Sequence, residues 1–297
     1  MNADAPSTIS PESKRLKQFR LGIAKIIPKF PNNKETLEVL EKKSIGSLLI
    51  DYINWASRLI PPRLRTVTIE PTLTADARWK SLSADIRIFL ERVKRGDDLN
   101  PNLSLRAFHN GFTPASSSTD PSTDKWEDKD FVLNTMGYHH FHLSQIVEAA
   151  GHTKRTDEVL FAQVTKDNFF AIGIFDHSVF EPTDQTTKTM PDERERLWRV
   201  FDQRNSIGRK PGGVYISSPI TTSGHAMHHT TLATEFARVI HTIDQKLDNL
   251  SSRSEVFKDL PHEVVKAMKL SWHLHYLNLG VIDKTTSTFH VFRYGSQ

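Results

Sequence analysis

Apolar and polar positions along this chain follow two different periods, and the switches between them predict the elements. From Ser13 to about Ile27, Leu16, Phe19, Ile23, Ile26 and Ile27 fall on one face of a 3.6-residue repeat, and Pro28 stops it. A second helical stretch runs from about Asn33 to Leu59, interrupted near Ser44, and ends at Pro61-Pro62. "RLRTVTIEP" (63–71) alternates like a short strand. In residues 75–96, Trp79, Leu82, Ile86, Phe89, Leu90 and Val93 form one helical face, with Gly96 as the expected C-cap.

Further on, the period falls to two. Tyr138–Leu143, Glu158–Thr165 and Phe169–Phe175 read as strands, and "TKDN" between the last two predicts an antiparallel hairpin. A helix follows at 191–204, a strand-like segment at 212–225, a well-patterned helix at 231–250 and a shorter one at 254–269. Two closing strands flank "IDKTT" (282–286). Helices segregated from a mainly antiparallel sheet predict an α+β protein rather than a βαβ repeat. Three consecutive segments are expected: a helical one (1–75), a core with a flexible loop at 113–128 (76–185), and an α+β extension (186–297).

Composition narrows the chemistry. The 297 residues are 37% apolar and 25% charged, which suits a water-soluble globular protein, and the formal charge is +4. A polyanionic partner is permitted but not required. With no cysteine, thiolate metal sites, disulfides and cysteine nucleophiles are excluded, and a reducing cytoplasm is the expected location. The first twenty residues lack the apolar core of a signal peptide, and "SIGSLLIDYINWASRLI" is too short and polar to span a bilayer, so no membrane role is expected. There is no GxGxxG, GxxxxGK[ST] or GxSxG motif, and no cofactor is indicated.

Residues 137–180 hold five histidines. On a strand His140 and His142 face one way, roughly 7 Å apart, while His139 and Phe141 face the other. By the same alternation Phe170, Ile172, Ile174 and Asp176 share one face of the hairpin, and Phe169, Ala171, Phe175 and His177 share the other. One face is expected to pack on a helix and the opposite one to be free for a site. Arg155, Thr156 and Asp157 stand where the second strand begins.

"HFHLS" (140–144), "KRTDEVLFAQV" (154–164) and "FFAIGIFDH" (169–177) together resemble the core of the YafO-type mRNA interferases. More broadly they are similar to the RelE-like toxins of the barnase–colicin-type ribonuclease fold, with "FLERVKRGDDLNPNLS" (89–104) as the helix and turn preceding the sheet. The resemblance implies a toxin-like endoribonuclease that cleaves RNA, above all mRNA, without metal. A base takes the 2′-OH proton, the oxygen attacks phosphorus, and an acid protonates the departing 5′-oxygen, leaving a 2′,3′-cyclic phosphate. Histidine suits both tasks, since its ordinary pKa near 6.5 keeps both protonation states available at neutral pH. His140 and His142 would transfer protons, Arg155 would stabilise the phosphate, His177 would act as acid or position substrate, and Asp157 would orient a histidine or Arg155. RNA, the ribosome and an antitoxin protein are the implied partners.

Other readings compete. A metal-dependent hydrolase would draw on His225, His228, His229, His273 and His275. A two-histidine phosphoesterase would pair "HLS" (142–144) with "HHT" (228–230). A non-catalytic nucleic-acid binder would use the basic helices at 14–29 and 87–95.

Overall fold

The computed structural model describes residues 12–114, 132–184, 186–210, 212–215, 219–221 and 224–295. Most of the loop expected at 113–128 therefore lies outside the described residues.

Three helices open the chain: α1 (Lys14–Ile26), α2 (Lys34–Lys42) and α3 (Ile45–Ala56). The Ser13 hydroxyl caps α1 by accepting the Leu16 N–H at 3.0 Å. Ser44 explains the break in the long apolar stretch: its hydroxyl accepts the Ser47 N–H at 3.2 Å and starts α3.

The first sheet is built by β1 (Thr66–Ile69), β2 (Tyr138–His142), β3 (Glu158–Val164) and β4 (Asn168–Asp176), in the order β1-β4-β3-β2. β1 runs parallel to β4 and the other pairs are antiparallel, so the sheet is mixed. Between β1 and β2 lie the short α4 (Pro71–Thr74), then α5 (Trp79–Arg95) and α6 (Arg106–His109). Ile86, Phe89, Leu90 and Val93 of α5 pack with Phe141, Leu160, Ala162, Phe169, Ala171 and Ile174 on one face of the sheet. Gly96 ends α5 at φ 78°, where an added Cβ would lie 2.7 Å from the Arg63 backbone, so only glycine fits.

The other face is also covered. α7 (Asp192–Ser206) brings Leu197, Val200 and Phe201 against Tyr138, Val159, Phe161, Ile172 and Phe175. Strict alternation along β4 fails because Phe161 pairs with Gly173 while Ala162 pairs with Ala171. Ile172 is the extra residue of a β-bulge, so Ile172 and Ile174 point to opposite faces instead of sharing one.

The second sheet is β5 (Leu270–His275), β6 (Asn278–Asp283) and β7 (Thr288–Arg293), a three-stranded antiparallel meander. The expected pair of strands becomes three because the chain reverses at Tyr276-Leu277, with Tyr276 in the left-handed region at φ 50°. Before it come α8 (Met227–Asp244), α9 (Leu250–Val256) and α10 (His262–Ala267); the helix expected at 254–269 is two helices, and Pro261 immediately precedes α10. The strand expected at 212–225 is reduced, among the described residues, to a single bridge between Ile220 and Ala226.

The cores group the chain differently from three consecutive segments. α1 and α3 share one hydrophobic cluster with α8, β5 and β6, so the two ends of the chain fold together. β1 and α7, expected in the flanks, belong to the first sheet. Asp244 ties the terminal unit: its carboxylate accepts Arg15 Nε at 2.9 Å and the buried Trp272 indole N–H at 2.7 Å. Asp244→Ala leaves both donors without that acceptor and should lower unfolding stability by about 3 kcal/mol. Urea titration followed by tryptophan fluorescence checks this; a loss under about 0.5 kcal/mol would show that the link contributes nothing.

Candidate active site

β2 alternates as its sequence demands. Phe141 enters the core under α5 and Tyr138 the core under α7, which places His140 and His142 together on the α7 side. That face is not free, contrary to expectation. His142 is 2% exposed, and His140 packs its ring against Phe180 (centroids 4.8 Å apart) and Phe161 (5.9 Å). A sheet covered on both faces turns its strand histidines into interior groups.

The imidazoles that meet at the sheet's end are instead His142 and His177, with ring centroids 5.6 Å apart. One residue joins them. The Thr156 N–H donates to His142 Nδ1 at 3.2 Å, and the Thr156 carbonyl lies 3.1 Å from His177 Nε2. A carbonyl only accepts, so His177 carries its proton on Nε2 and its basic nitrogen is Nδ1. By the same logic His142 is basic at Nδ1 and protonated at Nε2 when neutral. The Thr156 hydroxyl donates to the Glu158 carbonyl at 2.5 Å, which holds this corner against the start of β3.

Both imidazoles are anchored from behind. Asn102 Nδ2 donates to the His142 carbonyl at 2.7 Å, and Arg92 in turn donates to Asn102 Oδ1 at 2.9 Å. His177 opens a 3-10 turn (His177–Phe180) capped by Asp176, whose carboxylate accepts the Ser178 N–H at 2.9 Å. Glu193 accepts the Asp176 N–H at 3.2 Å and pairs with Arg78 and Arg196. Burial disfavours the charge on Glu193, but hydrogen bonds from Arg196 and Arg78 outweigh it and hold the carboxyl below its usual range.

Arg155 and Asp157 flank Thr156 and are both exposed, and no ion pair links them among the described residues. Asp157 is not seen orienting a histidine; Thr156 does that with its backbone. Thr156, Asn102, Asp176 and Glu193 were given no role by the sequence. The Asp-His-Ser run (176–178) was the one readable signal, since an aspartate two residues before a serine is a common turn cap.

The remaining histidines fall in two groups away from this corner, His225 with His228 and His229, and His273 with His275. His228 and His229 touch (4.2 Å) in the first turn of α8, His225 lies before that helix, and His273 packs on Phe289. Among the described residues no three His, Asp or Glu side chains group so as to hold a metal ion. "HLS" and "HHT" sit on β2 and α8, in separate cores. In the basic helices Arg15 binds Asp244 and Asp248, Lys94 binds Glu91 and Arg95 binds Asp97. No helix among the described residues is long and apolar enough to cross a membrane.

Comparison with family models, with curated proteins and with solved structures finds no match to this chain.

Two histidines with buried ring nitrogens set a pH dependence. His139 donates from Nε2 to the Ser57 carbonyl at 3.1 Å, and burial lowers its pKa from 6.5 to about 4. Burial, reinforced by His228, His225 and Arg58, takes His229 to about 3. In both cases the unfolded chain binds the proton more readily, so their stability contribution is complete above pH 6.5 and is lost as pH falls toward 4 and 3. Between pH 7 and pH 5 each should cost about 2 kcal/mol, and His139→Leu should make the decline visibly shallower. Urea unfolding at both pH values measures it; an unchanged slope in His139→Leu would contradict the assignment.

Proposed function

We propose that this protein is a toxin-like endoribonuclease that cuts RNA by metal-independent transesterification at the corner where β2, β3 and β4 meet. The observation that carries the reading is the His142–Thr156–His177 arrangement beside the exposed Arg155. In the unit from β1 to α7 one strand and the helices α4, α5 and α6 precede three consecutive strands and a last helix, with histidines on the sheet; the resemblance of residues 137–180 to the RelE-like ribonucleases adds its support to the reading.

The roles differ from those implied by sequence. His177, only partly buried, is the imidazole within reach of substrate. Its Nδ1 takes the proton of a ribose 2′-OH and O2′ attacks the adjacent phosphorus. The P–O5′ bond then breaks, a water supplies the proton to O5′, and the imidazolium proton passes to the hydroxide left behind. Arg155 begins one residue from the carbonyl that holds His177, so its guanidinium meets the charge building on the phosphate oxygens. His142, 2% exposed, positions His177 rather than touching RNA. His140 is a packed aromatic partner of Phe180 and Phe161. The ribosome and an antitoxin enter only through the resemblance.

The burial of His142 favours one rival: a chain that binds RNA at this corner without cutting it. Incubating the purified protein with total RNA and with translating ribosomes, with and without chelator, separates the two. We expect cutting that survives chelation and falls at least about 100-fold in His177→Ala. Arg155→Ala should lose about 10- to 100-fold. Undiminished cutting in both variants, or cutting abolished by chelator, contradicts the proposal. Salt-sensitive binding with intact RNA selects the rival.

A further inference from the structure

The β3–β4 hairpin carries His142 and His177 at one end and a turn at the other. Beside that turn a cleft of about 380 Å³ opens against the reversal between β5 and β6. β3 has seven residues, so the cleft stands roughly 20 Å from the histidine corner at ~3.3 Å per residue.

The charged side chains lining the cleft are Arg63 and Lys166. Both are exposed, and neither has an ion pair or a side-chain hydrogen bond among the described residues. Arg15, Arg78, Arg95 and Arg196, by contrast, are all met by carboxylates. The two free cations are brought together by a buried third. The Arg65 guanidinium donates to the Pro61 carbonyl at 3.1 Å and to the Thr165 carbonyl at 2.9 Å. It thereby ties the turn carrying Arg63 to the turn carrying Lys166, and the Thr66 N–H adds a bond to the Asp167 carbonyl at 2.9 Å. Asp98, near Tyr276, and Asp167, near Arg65, do not line the cleft. Two fixed like charges on one wall, with no acid among them, favour an anion.

The remaining wall is largely aromatic. Tyr294 is 69% exposed. Tyr276 sits in the left-handed region at φ 50°, where glycine or asparagine would be unstrained, and the Tyr52 hydroxyl holds it by donating to its carbonyl at 2.9 Å. From Tyr276 a line of rings runs out over the second sheet: His275 at 5.1 Å, Phe289 at 6.5 Å from His275, and His273 at 5.3 Å from Phe289. His273 and His275 share the outer face of β5 because Trp272 and Leu274 take the core face. Gly280 of β6 leaves room for the Phe289 ring, since an added Cβ would stand 2.8 Å from it. Cations for phosphates beside accessible rings for bases are how proteins hold a single strand without reading its sequence.

We propose that this cleft and the row of rings beside it bind single-stranded RNA, with a phosphate on Arg63 and Lys166 and bases stacked on Tyr294 and along the second sheet. The inference deepens the proposed function by giving the substrate a hold away from the cut, and it rests on that reading for the strand being RNA. No hydrogen bond selects a base here, so the hold is tolerant of sequence.

Fluorescence anisotropy with a labelled single-stranded RNA tests it, every variant being built on His177→Ala so that cutting does not intervene. Arg63→Gln with Lys166→Gln should weaken binding at least about 10-fold and flatten the slope of log affinity against log salt by about 0.7. Tyr294→Ala should weaken binding about 5-fold or more and leave that slope unchanged, because stacking releases no counterion. These positions are exposed, so circular dichroism should match the parent. Lys34→Gln, an exposed lysine of α2 outside the cleft, is the charge control and should bind as the parent does. A duplex of the same sequence should bind more weakly, since its bases are not free to stack on the rings. No RNA binding, unchanged affinity in the double variant or in Tyr294→Ala, an equal loss in Lys34→Gln, or a duplex bound as tightly as the single strand would overturn the inference. Binding of the expected pattern in a chain that never cuts RNA removes the nuclease reading and leaves this one standing. Cutting by the parent chain with unchanged binding in the cleft variants does the reverse.

Discussion

A sheet buried on both faces leaves only its strand ends and its edges for polar work, and that constraint governs this molecule. α5 covers one face of the first sheet and α7 the other, so β3 and β4 are apolar through most of their length. A histidine in the middle of such a strand is packed, as His140 is against Phe161 and Phe180, or held neutral by burial, as His139 is. A histidine at the end can still reach water. His177 does so because β4 has just finished, and His142 lies beside it at the corresponding end of β2.

Thr156 makes that corner specific. A single peptide unit on each side of one residue fixes two rings: its N–H selects the tautomer of His142 and its carbonyl that of His177. Side chains alone would leave each imidazole several rotamers; a backbone clamp removes that freedom at no side-chain entropy. Behind it, Asp176 and Glu193 with Arg78 and Arg196 connect the His177 turn to α7, and Asn102 connects β2 to the end of α5 through Arg92. The helices that bury the sheet are therefore the same ones that brace the end carrying His142 and His177.

Much of this was legible in the sequence, and the illegible part has a physical pattern. Helix spans such as Trp79–Arg95, with its Gly96 cap, follow from local periodicity and backbone preference. The sharing of a face by His140 and His142 follows from the pleat. What failed was non-local or hidden by symmetry. The extra residue Ile172 leaves alternation looking intact on paper while flipping the residues beyond it. The reversal at Tyr276-Leu277 carries no Asn-Gly or Gly signal, because a tyrosine occupies the left-handed position. Coverage of the second face by α7, and the union of α1 and α3 with α8 and the last sheet, depend on contacts more than a hundred residues apart in some cases. The true partner of His142 lies 35 positions downstream, beyond the reach of any periodicity.

The chemical identity of the RNA ends tests the central claim most directly. If an imidazole at this corner activates the ribose hydroxyl, mass spectrometry of the fragments will show 2′,3′-cyclic phosphate on one side of the cut and 5′-hydroxyl on the other. Fragments ending in 3′-hydroxyl and 5′-phosphate would require an external nucleophile and contradict the account, as would RNA recovered whole.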